Sequence, residues 1–159
     1  MREEEIKLWE LEYRMYTLVL YNISPIQQGI QTAHSIIEYS NIFGDTIEYQ
    51  KWSQVDKTII ILNGGSSIKL KENIDYLINN QLIDLSFFKE PDLFNGITSV
   101  SFLVDERIWN REKYPDRLPL EETQHSLLLR IFNQESFIES IGGEKNHQIK
   151  LFLEKFRLA

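Results

Sequence analysis

The stretch YTLVLYNISPIQQGIQTAHSIIEY, from Tyr16 to Tyr39, decides how this chain folds. Its first six residues, YTLVLY, form a short apolar run of β-forming residues, which is typical of a buried strand. After a turn come Ser24 and Pro25. This pair favours the start of a helix, because serine caps free N–H groups and proline fits the first helical position. The stretch therefore predicts a strand over 16–21 and then a helix that reaches about Tyr39.

Two stripes run side by side along the predicted helix, at about 100° per residue. The apolar stripe contains Ile26, Ile30, Ala33 and Ile37. The polar stripe beside it contains Gln27, Gln31, His34 and Glu38. We expect the apolar stripe to be buried and the polar stripe to border it, near the strand ends where open α/β sheets usually place a site.

A solvated helix face is the simplest interpretation of the polar stripe, and a lone helical histidine is more often structural than catalytic. Two features favour a site. Gln27 and Gln28 fall in the first helical turn, where free N–H groups and the helix dipole attract an anion. His34 is the only histidine in the first 120 residues.

Composition limits the possible functions. A chain of 159 residues with 42% hydrophobic and 12% aromatic residues is expected to form one globular domain. Its 24 acidic and 17 basic residues give a net charge of −7, which does not favour nucleic-acid binding, although a local basic patch is compatible with it. The apolar runs are too short for a membrane span and the N-terminus is acidic, so we expect a cytoplasmic protein without a membrane partner.

Metal and nucleophile motifs are missing from the sequence. There is no cysteine, and His34, His125 and His147 lack the spacing of a zinc site. The Gly64-Gly65 pair lacks the spacing of a phosphate loop, so we interpret it as a structural turn. We therefore expect no metal and no cofactor.

Further along the chain, apolar patterns predict the remaining elements of an α/β domain. In order they are a strand at Thr58–Leu62, a helix at Ile68–Asn80, a strand at Leu82–Lys89, a loop at Glu90–Gly96 and a strand at Ile97–Val104. Since Thr58–Leu62 is an unbroken β-branched run, we expect a central strand buried on both faces. The order β-α-β-α-β-β predicts a three-layer α/β/α fold with a four-stranded mixed sheet, both crossover helices on one face, and the last two strands antiparallel.

The remaining residues predict a helical extension, about 106–159, on a core of about 14–105 within a single domain 1–159. We expect a long connection over Asn41–Lys57. We expect helices at Glu121–Asn133, Gln134–Ile141 and about Asn146–Phe156, with Gly142 and Gly143 ending the second of them.

Glu90 and Asp92, on either side of Pro91, supply two carboxylates after the third strand. They could face the Gln/His stripe as part of a site, or they could form an ordinary acidic turn that caps backbone N–H groups. The pattern alone leaves both interpretations open.

Together these motifs resemble a known family. The pattern S-P-x-Q-Q-G-x-Q-x-A-H on the first helix and the later E-P-D-L-x-N-G-I-T-S-V resemble the archaeal and eukaryotic class of peptidyl-tRNA hydrolases. The likeness covers roughly 16–104 and is nearest to a peptidyl-tRNA-hydrolase-like branch found in phages and bacteria. It implies a three-layer α/β fold and a parent activity that cleaves the ester between a peptide and tRNA.

The resemblance also implies which residues form the site, and where this chain departs from the pattern. Gln31 and His34 match the glutamine and histidine of the enzymes, and Thr98 matches a hydroxyl near their site. Gln27 stands where the enzymes carry a lysine of the proposed active site. Their catalytic aspartate has no direct counterpart, because the loop here contains Glu90 and Asp92.

Two functions follow as hypotheses. In the first, the protein hydrolyses peptidyl-tRNA: Asp92 or Glu90 positions a water, His34 assists proton transfer, and Gln27, Gln28 and the helix N-terminus hold an anion. In the second, the same pocket binds a nucleotide, a tRNA end or another small anionic ligand without catalysis. The sequence leaves the oligomeric state open and allows a homodimer.

Overall fold

The computed structural model of the chain describes residues 1–116 and 127–159. Its strands are β1 (Tyr13–Val19), β2 (Ile59–Asn63), β3 (Ser86–Glu90) and β4 (Gly96–Asp105). Its helices are α1 (Glu3–Glu10), α2 (Pro25–Phe43), α3 (Ile47–Lys51), α4 (Ser67–Asn79), α5 (Glu106–Trp109), α6 (Leu127–Ser140) and α7 (Glu144–Leu153). A π-helical turn covers Trp52–Asp56, and a 3-10 turn covers Pro91–Leu93.

The four strands form one mixed sheet in the order β2-β1-β4-β3. Strand β2 is parallel to β1, and β4 is antiparallel to both β1 and β3. Helices cover both faces of this sheet, so the predicted α/β fold with a four-stranded mixed sheet is confirmed. The antiparallel pairing of β3 with β4 is confirmed as well.

Each face of the sheet has its own core. On the larger core, Leu18 of β1 and Phe102 of β4 pack with Leu70 and Leu77 of α4 and with residues of α5 and α7. On the other face, Met15 and Leu103 pack with Tyr39 of α2 and with Trp52. Helices α2 and α4 therefore lie on opposite faces, and the prediction that both crossover helices share one face is wrong. The two helices pack on different faces because α4 buries an apolar stripe against one face of the sheet, whereas α2 buries a polar stripe against the other.

The prediction that the β-branched run at 58–62 is a central strand is also wrong. Strand β2 lies at the edge of the sheet, where Ile59 is 46% exposed and only Leu62 is buried, at 6%. Its free edge is covered by the C-terminal residues, since Asn63 N–H donates to the Arg157 carbonyl (2.8 Å) and Ala159 N–H to the Ile61 carbonyl (3.0 Å). Covering an edge in this way prevents pairing with another strand.

Two segments are more helical than predicted. The connection at 41–57 contains the end of α2, α3 and the π-helical turn. The Trp52 ring anchors this segment, since it is buried and its indole N–H donates to the Thr58 carbonyl at 2.8 Å. Helix α6 continues through the predicted break at 133/134, while the predicted helical residues 121–126 and His125 lie outside the described residues. Gly142 and Gly143 have φ angles of 102° and 110°, as expected for residues that end a helix.

Helix α2 begins as predicted, with Ser24 as N-cap and Pro25 at the first position. Its predicted orientation is reversed. The apolar stripe faces solvent, with Ile26 76% exposed and Ile37 56% exposed, whereas Gln31 of the polar stripe is only 3% exposed. The reason is the sheet surface beneath α2, which presents hydroxyl groups that a polar helix face can satisfy.

Among the described residues, no helix is long and apolar enough to cross a lipid bilayer.

A pair of substitutions in β2 tests the edge-strand arrangement. Leu62→Ala should lower the free energy of unfolding by about 2–5 kcal/mol, because it empties a buried aliphatic site. Ile59→Thr, which keeps the β-branched shape at an exposed position, should change it by only about 0.5 kcal/mol. Urea denaturation of both variants gives the comparison. A larger loss for Ile59→Thr than for Leu62→Ala would contradict this placement of β2.

A second prediction concerns alkaline pH. Burial raises the pKa of Tyr13, Tyr16 and Tyr39 above the usual 10.0, so the folded chain keeps these phenols neutral where the unfolded chain ionises them. Their contribution is complete below pH 10 and is lost as the pH rises above it. Because Tyr39→Phe removes one such group, its unfolding free energy should fall less steeply above pH 10, by about 1.4 kcal/mol per pH unit. Parallel slopes for the variant and the parent protein in urea titrations would contradict the burial of this phenol.

Candidate functional site

The site is built where α2 meets the sheet through polar side chains. Among the described residues, the helix buries Gln31, Thr32, Ser35 and Tyr39. Opposite them, the sheet buries Thr17 of β1 and Thr98, Ser99 and Ser101 of β4. Because a buried polar group without a hydrogen bond is costly, such an interface is stable only if its members pair with one another.

Three hydroxyl groups form a buried chain from β1 to α2. Ser101 Oγ lies 2.7 Å from Thr17 Oγ1 and 2.6 Å from Ser35 Oγ. Ser35 donates its proton to the Thr32 carbonyl at 3.1 Å. A hydroxyl has one proton, so Ser101 donates to Ser35, and Thr17 donates to Ser101. The chain fixes the depth and rotation of α2 on the sheet.

Gln31 is the centre of a second network, and both ends of its side-chain amide are paired. Thr98 Oγ1 donates to Gln31 Oε1 at 2.6 Å, and Gln31 Nε2 donates to Glu90 Oε2 at 2.8 Å. Ser99 Oγ donates to the Gln31 main-chain carbonyl at 2.6 Å. The threonine therefore sets the orientation of the amide, and the amide in turn holds the carboxylate of Glu90.

A β-bulge brings two consecutive side chains of β4 toward Gln31. In the β3–β4 register Phe88 pairs with Ser99 and Lys89 pairs with Ile97, so Thr98 is an extra residue on β4. In a regular strand Thr98 and Ser99 would point to opposite faces. A bulge redirects side chains locally, and here both reach α2.

The two candidate carboxylates have different surroundings. Glu90, at the end of β3, is partly buried and bonded to Gln31, and its Oε1 accepts from the Asp92 N–H at 3.4 Å. Asp92 is exposed in the 3-10 turn that follows, and within the described residues its side chain makes no hydrogen bond to Gln31 or His34. Of the two interpretations of this loop, Glu90 thus both joins the polar network and caps the turn.

His34 lies beside this network but is held by a ring contact. Its imidazole stacks on the Phe88 ring, with centroids 4.3 Å apart and planes 10° apart. Phe88 precedes Glu90 by two residues on β3, so the His34 imidazole and the Glu90 carboxylate both lie where α2 contacts β3. The structure therefore brings together His34, Gln31, Glu90 and Thr98, and it leaves Asp92 outside this contact.

The N-terminus of α2 offers less to an anion than the sequence predicts. Ser24 Oγ accepts from the Gln27 N–H at 3.2 Å, and the Gln28 N–H donates to the Ser24 carbonyl. Since Pro25 has no N–H, the Ile26 N–H alone is unpaired in this described turn. The Gln28 side chain donates to the Leu20 carbonyl at 3.2 Å, while Gln27 remains exposed.

Sequence reasoning missed the hydroxyl chain. A signal existed, because Ser99 and Ser101 alternate with Val100 and Phe102 on β4, which indicates one polar and one apolar face. Among the described residues, no group of three or more histidine, cysteine, aspartate or glutamate side chains could hold a metal ion.

Comparison with known proteins adds no family assignment. No protein-family model and no curated protein matches this chain. The resemblance to peptidyl-tRNA hydrolases stays a prediction.

A double-mutant cycle tests the hydroxyl chain. Thr17→Val and Ser101→Ala each remove one partner of the 2.7 Å contact, and each should lower the free energy of unfolding by about 1–3 kcal/mol because a buried hydroxyl loses its partner. The double variant should lose less than the sum, with a coupling energy of at least about 0.5 kcal/mol. Additive losses in urea denaturation would contradict a direct hydrogen bond between these residues.

Proposed function

We propose that the protein is a peptidyl-tRNA-hydrolase-like esterase that cleaves the ester bond between a peptide and tRNA. The observation that carries the proposal is the Gln31 amide, which is held by Thr98 and holds Glu90. A carboxylate whose orientation is fixed by a buried amide is well suited to position a water for attack on an ester.

In this reaction Glu90 is the general base. It takes a proton from the attacking water, the resulting hydroxide adds to the ester carbonyl carbon, and the bond to the ribose oxygen of tRNA then breaks. His34 assists by delivering a proton to that leaving oxygen. Gln27 and the Ile26 N–H, both at the start of α2, supply hydrogen-bond donors for the negative charge that develops on the carbonyl oxygen.

Gln31 and Thr98 serve as positioning residues. The Thr98 hydroxyl donates to the amide oxygen, so the amide nitrogen points to Glu90. This arrangement favours Glu90 over Asp92 as the acting carboxylate, because Asp92 lacks an equivalent partner among the described residues.

A matched pair of carboxylate variants tests this proposal. With N-acetylated aminoacyl-tRNA as substrate, Glu90→Gln should lower the rate of peptide release by about 10²–10⁴-fold, the usual contribution of a general base. Asp92→Asn, two residues away, should leave the rate nearly unchanged. Both variants should melt close to the parent protein, since the amide oxygen that Glu90→Gln introduces can still accept from Gln31.

Turnover that survives Glu90→Gln but not Asp92→Asn would transfer the role of base to Asp92. Release of peptide by neither the parent protein nor any variant would overturn the esterase.

A second function is supported by one observation: the segment 16–43 contains no lysine or arginine, and Gln27 replaces the lysine of the resembling enzymes. A polyanion such as tRNA is usually held by several cations, so the same residues would instead bind a nucleotide or another small anionic ligand without catalysis. In that case, nucleotides should raise the melting temperature of the parent protein while no ester is cleaved. If the parent protein releases no peptide, Gln27→Lys separates the two functions, because peptide release by the variant would indicate a degenerate esterase and continued absence of release would indicate the binding protein.

A further inference from the structure

The two edges of the sheet differ in what covers them. The free edge of β2 is covered by the last residues of the chain. At the other edge, β3 pairs with β4 on its inner side. Within residues 1–116 and 127–159, no group forms a hydrogen bond with the main chain on the outer side of β3. An open strand edge of this kind is a row of unpaired groups to which another strand can bind.

The hydrogen bonds of β4 identify the groups of β3 that face inward. The Leu20 N–H donates to the Thr98 carbonyl at 3.1 Å, so the even-numbered residues of β4 turn their main-chain groups toward β1. The odd-numbered residues therefore turn theirs toward β3, because these groups alternate along a strand. Ser99 thus bonds with Phe88, its partner in the register.

The outward main-chain groups of β3 are therefore those of Phe87 and Lys89. The extra residue of the bulge is on β4, so β3 itself is regular and its groups alternate throughout. Glu90 turns inward again, since its carbonyl accepts from the Asn95 N–H at 3.1 Å. Each chain thus presents two N–H groups and two carbonyl groups along one edge, without partners among the described residues.

We propose that β3 pairs antiparallel with β3 of a second copy of this chain, about a two-fold axis at Phe88. Phe87 then lies opposite Lys89 of the second copy, and Lys89 lies opposite its Phe87. Four main-chain hydrogen bonds between the copies use all of the outward groups. A two-fold dimer is also the commonest form of oligomer. The proposal does not rest on the esterase, because it concerns the outer edge of β3 and requires no substrate.

The charges of β3 select this register. An axis at Lys89 would put two lysines opposite each other, and an axis at Phe87 would put Glu90 opposite Asp84 of the second copy. Like charges directly opposite each other destabilise a strand pair. In the proposed register Glu90 faces Ser86 of the second copy, and Lys89 faces a phenylalanine. A lysine and an aromatic ring attract each other, as Lys89 Nζ and the Phe87 ring already do within one chain, at 5.9 Å from the ring centroid.

The same register brings two aromatic rings together on the α2 face of the sheet. Phe88 lies opposite Phe88 of the second copy, and each ring is stacked on its own His34 at 4.3 Å. Aromatic pairs directly across two antiparallel strands are stabilising.

The two α2 helices fit side by side in this dimer. A two-fold axis perpendicular to the sheet keeps both helices on the same face, and α2 packs on β3 and β4 alike. Since strands lie about 4.8 Å apart, the two helices would be about 10 Å apart, which is the usual distance between packed helices. Glu38 is the only Asp, Glu, Lys or Arg in α2. Because His34 lies near the axis, the two copies of Glu38 are about 12 Å apart along the antiparallel helices.

The first test is the mass of the parent chain in solution, measured by sedimentation equilibrium over a range of protein concentrations. The mass should approach twice the 18.9 kDa of one chain at high concentration and fall on dilution. The mass of a single chain at every concentration would overturn the proposal and leave the edge to an extended segment of another protein.

The second test uses matched charge variants at residue 87, whose side chain is 37% exposed in one chain. Phe87→Lys puts two pairs of like charges across the strand pair and should raise the dimer Kd at least about tenfold. Phe87→Glu removes the same ring but faces Lys89 of the second copy, so it should still dimerise. The double variant Phe87→Lys/Lys89→Glu restores opposite charges and should recover the dimer. Melting curves check that each variant folds.

The third test removes a main-chain donor. Lys89→Pro deletes an outward N–H, and an edge strand tolerates proline there because no internal hydrogen bond is lost. This variant should raise the dimer Kd well above that of Lys89→Ala, which keeps the N–H. A dimer that both Phe87→Lys and Lys89→Pro leave intact would lie on another surface and would contradict the pairing of β3.

Discussion

The hydrogen bonds that join α2 to the sheet are the constraint on which this structure depends. Thr17, Ser101 and Ser35 form a continuous buried chain, with oxygen separations of 2.6 and 2.7 Å. An apolar contact tolerates small shifts, whereas a buried hydroxyl that loses its partner costs about 1–3 kcal/mol. A fully paired network of this kind therefore permits one placement of the helix.

That placement accounts for both the site and the surface of α2. With Ser35 held on the sheet, Gln31, one turn earlier, reaches the bulge at Thr98 and the end of β3 at Glu90. The isoleucines on the other side of the helix are forced outward, which explains the exposure of Ile26 and Ile37. The two faces of the sheet thus have separate roles. The face that packs on α4 supplies the larger apolar core, and the face that packs on α2 fixes the position of that helix and of its site residues.

The sequence predicted the elements better than their surroundings. Local signals such as caps, turns and periodicity predict the strand–turn–helix unit at Ser24 and Pro25, the helix at 67–79 and the β3–β4 pair.

The burial of α2 was predicted on the wrong face, because an apolar stripe usually marks the packed side of a helix. Here the hydroxyl groups of the sheet beneath α2 reverse that rule. The edge position of β2 could not be predicted either, since strand order and the covering by Arg157–Ala159 depend on distant parts of the chain. At the site, Gln31, His34, Glu90 and Thr98 were predicted as candidates, but the bulge that turns Thr98 toward Gln31 was not.

The orientation of α2 can be measured directly, because the chain contains no cysteine of its own. Single variants Ile30→Cys and Ser35→Cys, on opposite sides of the helix, can be compared by their rates of reaction with a thiol reagent under native conditions. The structure predicts that the cysteine at 30, where Ile30 is 42% exposed, reacts much faster than the cysteine at 35, where Ser35 is fully buried. Protection at 30 together with rapid reaction at 35 would mean that the apolar stripe faces the sheet, and it would contradict the polar interface on which the site is built.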